Sequence, residues 1–251
     1  MGRRTCVRVL CLPTNVDHVR GRKVQLLTDI GDRFAVIPRG HHGYPQPEDG
    51  YRSLVWRPIC PNCGWHGEQV SPFEVRRGFG AAHSAFIQLN WVFDAWFVKA
   101  EVADALMTSG LTGFRPETVL DSKSRMPVES HRQLHIDVAM PCMDVSRLQA
   151  VTCRPNNEES TLPMPAGSRK PDQGDWCGRV KHHPPTTVGL YRDLRNEPDL
   201  LFADEWVGSG FNAFRVILAS RRFVDFVRKQ GWRGLAFRPA ISGMPSERAG
   251  E

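Results

Sequence analysis

The strongest constraint on this chain is a stretch that it spells twice, over residues 93–116 and again over 214–239. Aligned with one two-residue gap, the stretches share Phe93 with Phe214, Asp104 with Asp225, Gly110 with Gly231 and Gly113 with Gly234, and Phe114, Arg115 and Pro116 stand opposite Phe237, Arg238 and Pro239. Apolar positions agree as well. Trp96, Val98, Val102, Ala105 and Leu106 face Ile217, Ala219, Phe223, Phe226 and Val227, the pattern expected of one small fold unit that has been duplicated.

The periods of the repeat say what that unit is. Each stretch is entered through a short run rich in aromatic and β-branched residues, 86–93 and 214–218, which predicts a strand. Helical spacing follows. In the second stretch Ser220 is a natural N-cap, Phe223, Phe226 and Val227 form an apolar stripe, and Arg221, Arg222, Asp225, Arg228 and Lys229 take the wet face. Gly231 ends the helix, because glycine accepts the left-handed conformation just past a last turn, and 235–237 return as a strand. The expected fold class is therefore α+β: two repeated strand-helix-strand units joined by a long Pro-rich loop. The unit itself reads as scaffold rather than active site.

Length permits one large domain or two small ones, at 251 residues and 28.3 kDa, with 41% hydrophobic and 24% charged residues as in ordinary globular proteins. No run approaches a membrane span. The N-terminus starts positive like a signal peptide, but Arg8 interrupts an apolar stretch that is already short, and position 6 is Cys6 where a myristoylation pattern needs Ser or Thr. The expected location is cytoplasmic, with no membrane partner. A net charge of +6 and a pI near 9.1 permit an acidic partner, either nucleic acid or protein. The basic residues are scattered, at Arg20 and Lys23, Arg76 and Arg77, Arg221 and Arg222, and Arg228 and Lys229, which reads as solvated faces rather than a nucleic-acid track.

Taken in order, 1–20 is an N-terminal extension, 21–140 a first α+β unit, 141–185 a loop or linker, 186–240 a second α+β unit and 241–251 a polar tail. Within the first unit, 24–38 suggests strands around a turn at Gly31 and Asp32, and 39–50 is too rich in Gly and Pro for regular structure. The pair Gly78 and Gly80 lacks the rest of a phosphate loop and reads as a turn. Residues 133–140 alternate like a strand, and His131 and His135 are a weak metal pair without the glutamate of a metalloprotease helix. Seven prolines and almost no apolar period make 141–185 the clearest break in composition.

Seven cysteines is an odd number, which favours metal ligation or free thiols over disulfides in a chain with no recognised export signal. Cys60 and Cys63, three apart with Pro61 after the first and Gly64 after the second, form a zinc-knuckle-like turn that lets two thiolates face one metal. A redox Cys-x-x-Cys pair would open a helix in a βαβ unit, and Gly64 speaks against that. A structural zinc needs four ligands. Cys177, followed by Gly178, stands in the frame of a second such pair whose first cysteine is replaced by Gly174, and Cys153, His182, His183 or Cys142 remain as the fourth ligand. A degenerate site that binds nothing is also consistent with this sequence. The candidate ligand set is Cys60, Cys63, Cys177 and Cys153, and the candidate cofactor is structural zinc.

The order of these motifs, Cys60 to Gly64, then Gly78 and Gly80 before the first strand and helix, then the broken pair at Cys177 and the closing 199–206 and 219–238, resembles the double-CxxCG-motif proteins. That resemblance covers roughly 55–240 and is closest in the last forty residues; it departs at Gly174, where the family has a cysteine. The family is of myxobacterial type, and some members are immunity proteins that protect a cell from a cognate toxin. The resemblance implies an interaction protein that binds and neutralises such a toxin, with no catalytic residues. Trp65, Trp176, Trp206 and Trp232 are candidate anchors for the partner. Two other readings stand beside it: a zinc-containing nucleic-acid-binding protein, suggested by the basic pI and the knuckle, and an enzyme using Cys63 or Cys177 with a nearby histidine. No nucleophile elbow, metalloprotease helix or P-loop occurs.

Overall fold

A computed structural model describes residues 32–76, 78–79, 84–154 and 176–242. The expected extension over 1–20, the strand reading over 24–31, Gly80, Gly174 with the middle of the Pro-rich stretch, and the tail beyond 242 lie outside the described residues. The protein is mixed α+β and built mostly from strands, with few helices.

The main sheet has the order β12 (Ala150–Thr152), β13 (Val180–His182), β15 (Leu200–Val207), β16 (Phe214–Ser220), β1 (Arg33–Pro38) and β17 (Leu235–Pro239), and β11 (Ala139–Met140) pairs alongside β15. A second sheet has the order β6 (Phe86–Ile87), β7 (Trp96–Lys99), β10 (His131–Ile136) and β8 (Phe114–Glu117). Smaller pairings surround these. The short helix α1 (Tyr51–Val55) leads into the hairpin β3 (Trp56–Ile59) and β4 (His66–Gln69), β5 (Glu74–Val75) lies between β2 (Pro45–Gln46) and β9 (Leu120–Asp121), and β14 (Gly189–Leu190) pairs with β18 (Ile241–Ser242).

Helix α2 (Ala100–Thr108) connects β7 to β8, and α3 (Arg221–Lys229) connects β16 to β17. In each case the strands before and after the helix flank a third, antiparallel strand: β10 between β7 and β8, β1 between β16 and β17. Ser220 caps α3 by accepting the Phe223 amide at 3.1 Å, and Gly231 leaves the helix at φ 65°. Val102 and Leu106 of α2 and Phe223 and Val227 of α3 meet Phe34, Phe86 and Trp96 in one core between the sheets. Burying Phe223 completely against the ring edges of Phe86, Phe114 and Phe237 makes it the centre of that core.

Two glycines lock the segments to each other. A Cβ on Gly113 would lie 2.0 Å from the carbonyl oxygen of Leu200, where β15 begins, and a Cβ on Gly234 would lie 2.1 Å from that of Phe86 in β6. The Leu200 amide donates to Thr112, and the Ala85 and Phe86 amides donate to Arg233. Each glycine thus lets one segment's turn touch a strand near the other segment, β15 paired to β16 for Gly113 and β6 paired to β7 for Gly234. The buried Asp199 carboxylate adds a polar tie by accepting the Thr112 amide at 3.0 Å and the Ser220 hydroxyl.

The structure corrects several expectations. β1 falls within the stretch expected to form the first unit but completes the sheet of the second, and β12 and β13 fall within the expected linker but extend the main sheet. Ladder hydrogen bonds choose partners by fit across the fold, which sequence proximity does not reveal. The strand expected over 86–93 stops at Ile87, because the chain turns at Asn90 and Trp91 (φ 65°) to drop Leu89 and Val92 into the core. Phe114 opens β8 directly after Gly113, and Leu235 opens β17 directly after Gly234, so the strands need no two-residue gap. Gly78 does sit in a turn, at φ 83°.

Candidate metal centre

The knuckle forms at the tip of the β3–β4 hairpin. The Cys60 amide donates to Trp65 at 2.8 Å and the Gly64 amide to Cys60 at 2.9 Å, with Gly64 at φ 77°. Only glycine suits that conformation without strain, and only glycine fits the space: a Cβ would lie 2.1 Å from the Phe211 carbonyl oxygen and 2.9 Å from the Ala213 nitrogen. The tip therefore rests on the backbone of 211–213. That platform is tied down by the Arg52 guanidinium, which donates to the Phe211 carbonyl at 2.8 Å and to Asn212 at 2.6 Å, and by the buried Lys181 ammonium on Gly210 and Asn212.

The other two cysteines come from the edge of the main sheet. Cys153 follows β12 and Cys177 precedes β13, whose antiparallel register continues outward, with the Cys153 amide donating to Arg179 at 2.9 Å and the Gly178 amide to Cys153 at 3.1 Å. The sulfurs of Cys60, Cys63, Cys153 and Cys177 all lie within 4.8 Å of one another. Cys60 and Cys153 are 3.7 Å apart and Cys63 and Cys177 3.6 Å. A disulfide requires about 2.05 Å. A tetrahedral zinc with bonds of about 2.3 Å requires sulfur edges of about 3.8 Å. The set therefore fits a metal: four soft ligands, three of them buried, with only Cys177 exposed.

Without a metal the thiols share protons unequally. A hydrogen bond from the Cys63 thiol, opposed by burial and assisted by the Asn62 and Cys63 amides, pushes Cys60 down to about 4. That same bond, with burial added, pushes Cys63 up. Burial pushes Cys153 up to about 11. Of these three thiols Cys60 gives up its proton most readily, and a bound cation would displace the protons of Cys63 and Cys153.

All four cysteines named from the sequence are brought together, and the alternatives are not in the set. Cys142 is wholly buried elsewhere, its thiol pushed up to about 12 by burial and then by Glu205. His182 and His183 do not join the sulfurs. His131 and His135, four apart on one strand, are about 13 Å apart and share no ion. Sequence reasoning missed the 211–213 platform, whose only signal was the spacing of Gly208 and Gly210.

Beside the centre, His66 of β4 pairs with Asp94 at 3.1 Å, both buried, and stacks on Trp56 with ring centroids 4.1 Å apart. The other ring nitrogen faces the Gly67 carbonyl at 3.3 Å, so both nitrogens are engaged. Burial by itself would raise the Asp94 carboxyl, but the His66 imidazole, with Arg215 behind it, outweighs burial and holds it below the usual range. A depressed acid stabilises the fold above its unfolded pKa, near 3.9, and loses that contribution as the pH falls through its folded value. Asp94→Asn is expected to cost about 3 kcal/mol at pH 7 by removing the buried carboxylate that the His66 ring meets at 3.1 Å. Urea unfolding of both proteins at pH 7 and pH 3 checks this: the gap between them narrows at the lower pH.

No protein-family model matches this sequence, and no curated protein matches it. Among the described residues no helix is long and apolar enough to cross a membrane.

Proposed function

We propose that this chain is an immunity-type interaction protein of the cytoplasm, which binds and neutralises a cognate bacterial toxin and carries one structural zinc. The observation that carries the reading is the closed set of four sulfurs. Four protein ligands leave a metal no open position for water or substrate, the coordination of structural rather than catalytic zinc. Cys153 supplies the sulfur missing at position 174, so the motif order of the double-CxxCG proteins is kept in function although broken in sequence. The duplicated strand-helix-strand segments are the scaffold, and the metal joins the knuckle hairpin to the edge of the main sheet.

Co-expression with the toxin encoded beside the gene tests the reading. Growth is expected to be restored by the wild-type chain, and absence of rescue overturns the proposal. Metal analysis of the purified protein is expected to find one zinc per chain.

A further inference from the structure

A cleft of about 730 Å³ lies beside the four sulfurs and between the two sheets. Its wall carries a row of five side chains in ring and cation contact. The Arg179 guanidinium lies 3.6 Å over the Trp65 ring, Trp65 and Trp206 are 5.9 Å apart, and the Arg215 guanidinium lies 5.4 Å from Trp206 and 4.1 Å from Phe202. Stacking on indole faces holds two flexible cations in place, so little side-chain entropy remains to be lost on binding. Neither guanidinium makes an ion pair or hydrogen bond among the described residues, and the Arg215 Nε is buried without a partner. The third arginine of the cleft, Arg115, is already paired with Glu117 and Asp137.

From this we infer that the cleft is the docking site for an acidic segment of the protein partner, with Arg179 and Arg215 as twin carboxylate receptors. The rim decides between partner classes. Glu68 and Asp204 stand exposed on the same cleft as the Arg179 and Arg215 guanidiniums. A continuous phosphate chain would be repelled by those carboxylates, whereas a protein surface presents isolated acids to the arginines and its own cations to the rim. Planar guanidinium matches carboxylate in a two-point fork, which lysine does not. This inference rests on the interaction-protein reading above and deepens it by naming the face and the chemistry of the partner.

Fluorescence anisotropy tests it on the full chain, with a labelled peptide carrying three glutamates spaced by pairs of glycines and with a labelled ten-residue oligothymidylate. The wild type is expected to prefer the peptide. Arg215→Gln and Arg179→Gln are each expected to weaken peptide binding by about tenfold, Arg215→Lys to weaken it nearly as much, and Arg125→Gln, a distant exposed arginine paired with Glu74, to leave it unchanged. Metal content and the unfolding midpoint of each variant confirm that the fold is intact. No peptide binding, a preference for the oligothymidylate, or equal losses at Arg125 and Arg215 overturns the inference. The co-expression assay separates the two claims: rescue by the wild type and by Arg215→Gln alike removes the cleft but keeps the toxin reading, and absence of rescue by the wild type removes the toxin reading while the peptide titration still judges the cleft.

Discussion

Cys153→Ser is expected to reduce bound zinc from one per chain to none and to lower the unfolding midpoint by on the order of 10 °C. The sulfur it removes is the only link in the set supplied by the end of β12, and it sits 3.7 Å from Cys60. Hydroxyl oxygen is a poor replacement for a thiolate at a soft tetrahedral site, and three remaining sulfurs leave zinc with an open, weakly held position. Metal binding is also folding free energy where the site joins separate parts of a chain. Here the four sulfurs lie between the knuckle hairpin and a sheet edge whose strands make only three register pairs. A strong chelator should lower the wild-type midpoint to that of the variant and leave the variant where it is. Cys142→Ser supplies the control, since Cys142 is wholly buried yet outside the cluster. That variant should keep its zinc, and equal metal loss in both would refute the assigned ligand set. Emission spectrometry of metal together with thermal melting reads both outcomes.

Gly64→Ala is expected to be among the most damaging single-methyl changes in the chain, costing about 4 kcal/mol or more. Two independent penalties add. The residue sits at φ 77°, where an L side chain is strained by about 1–2 kcal/mol. Its new Cβ would also stand 2.1 Å from the Phe211 carbonyl oxygen, a backbone atom that cannot swing aside like the end of a side chain. Relief requires the knuckle to lift from the platform that Arg52 and Lys181 hold, and lifting it carries Cys60 and Cys63 away from Cys153 and Cys177. The variant should therefore lose metal affinity as well as stability. Gly178→Ala makes the comparison sharp, because Gly178 has a similar φ of 70° but open space around it. It should lose only the conformational part, and denaturant unfolding of the pair distinguishes strain from collision.

Much of the secondary structure was legible because local chemistry and tertiary demand agreed. Ser220 caps α3, Phe223 and Val227 bury its stripe, and Gly231 stops it, each a choice made within a single helical turn. The four cysteines were legible for a different reason: soft ligands at a knuckle spacing have few other uses in a chain of this kind. Trp65 and Trp206 were read as exposed anchors, and they are half-buried in the stack that lines the cleft. Trp232 packs against the core beside Phe226 instead. The exposed tryptophan is Trp91, carried by a left-handed turn that no helical or strand period announces.

What the sequence by itself determined is the set of local outcomes: two helices with their glycine stops, the serine cap of the second, the apolar runs that become strands, and four sulfurs able to hold a metal. Only the tertiary structure decided which strands pair, that β1 enters the sheet of the second segment, and that the edge of the main sheet brings Cys153 and Cys177 to Cys60 and Cys63. Local elements follow from short-range sterics and hydrogen bonding, which neighbouring residues encode. Pairing across more than a hundred residues follows from the simultaneous burial and bonding of the whole set, and no local stretch contains that information.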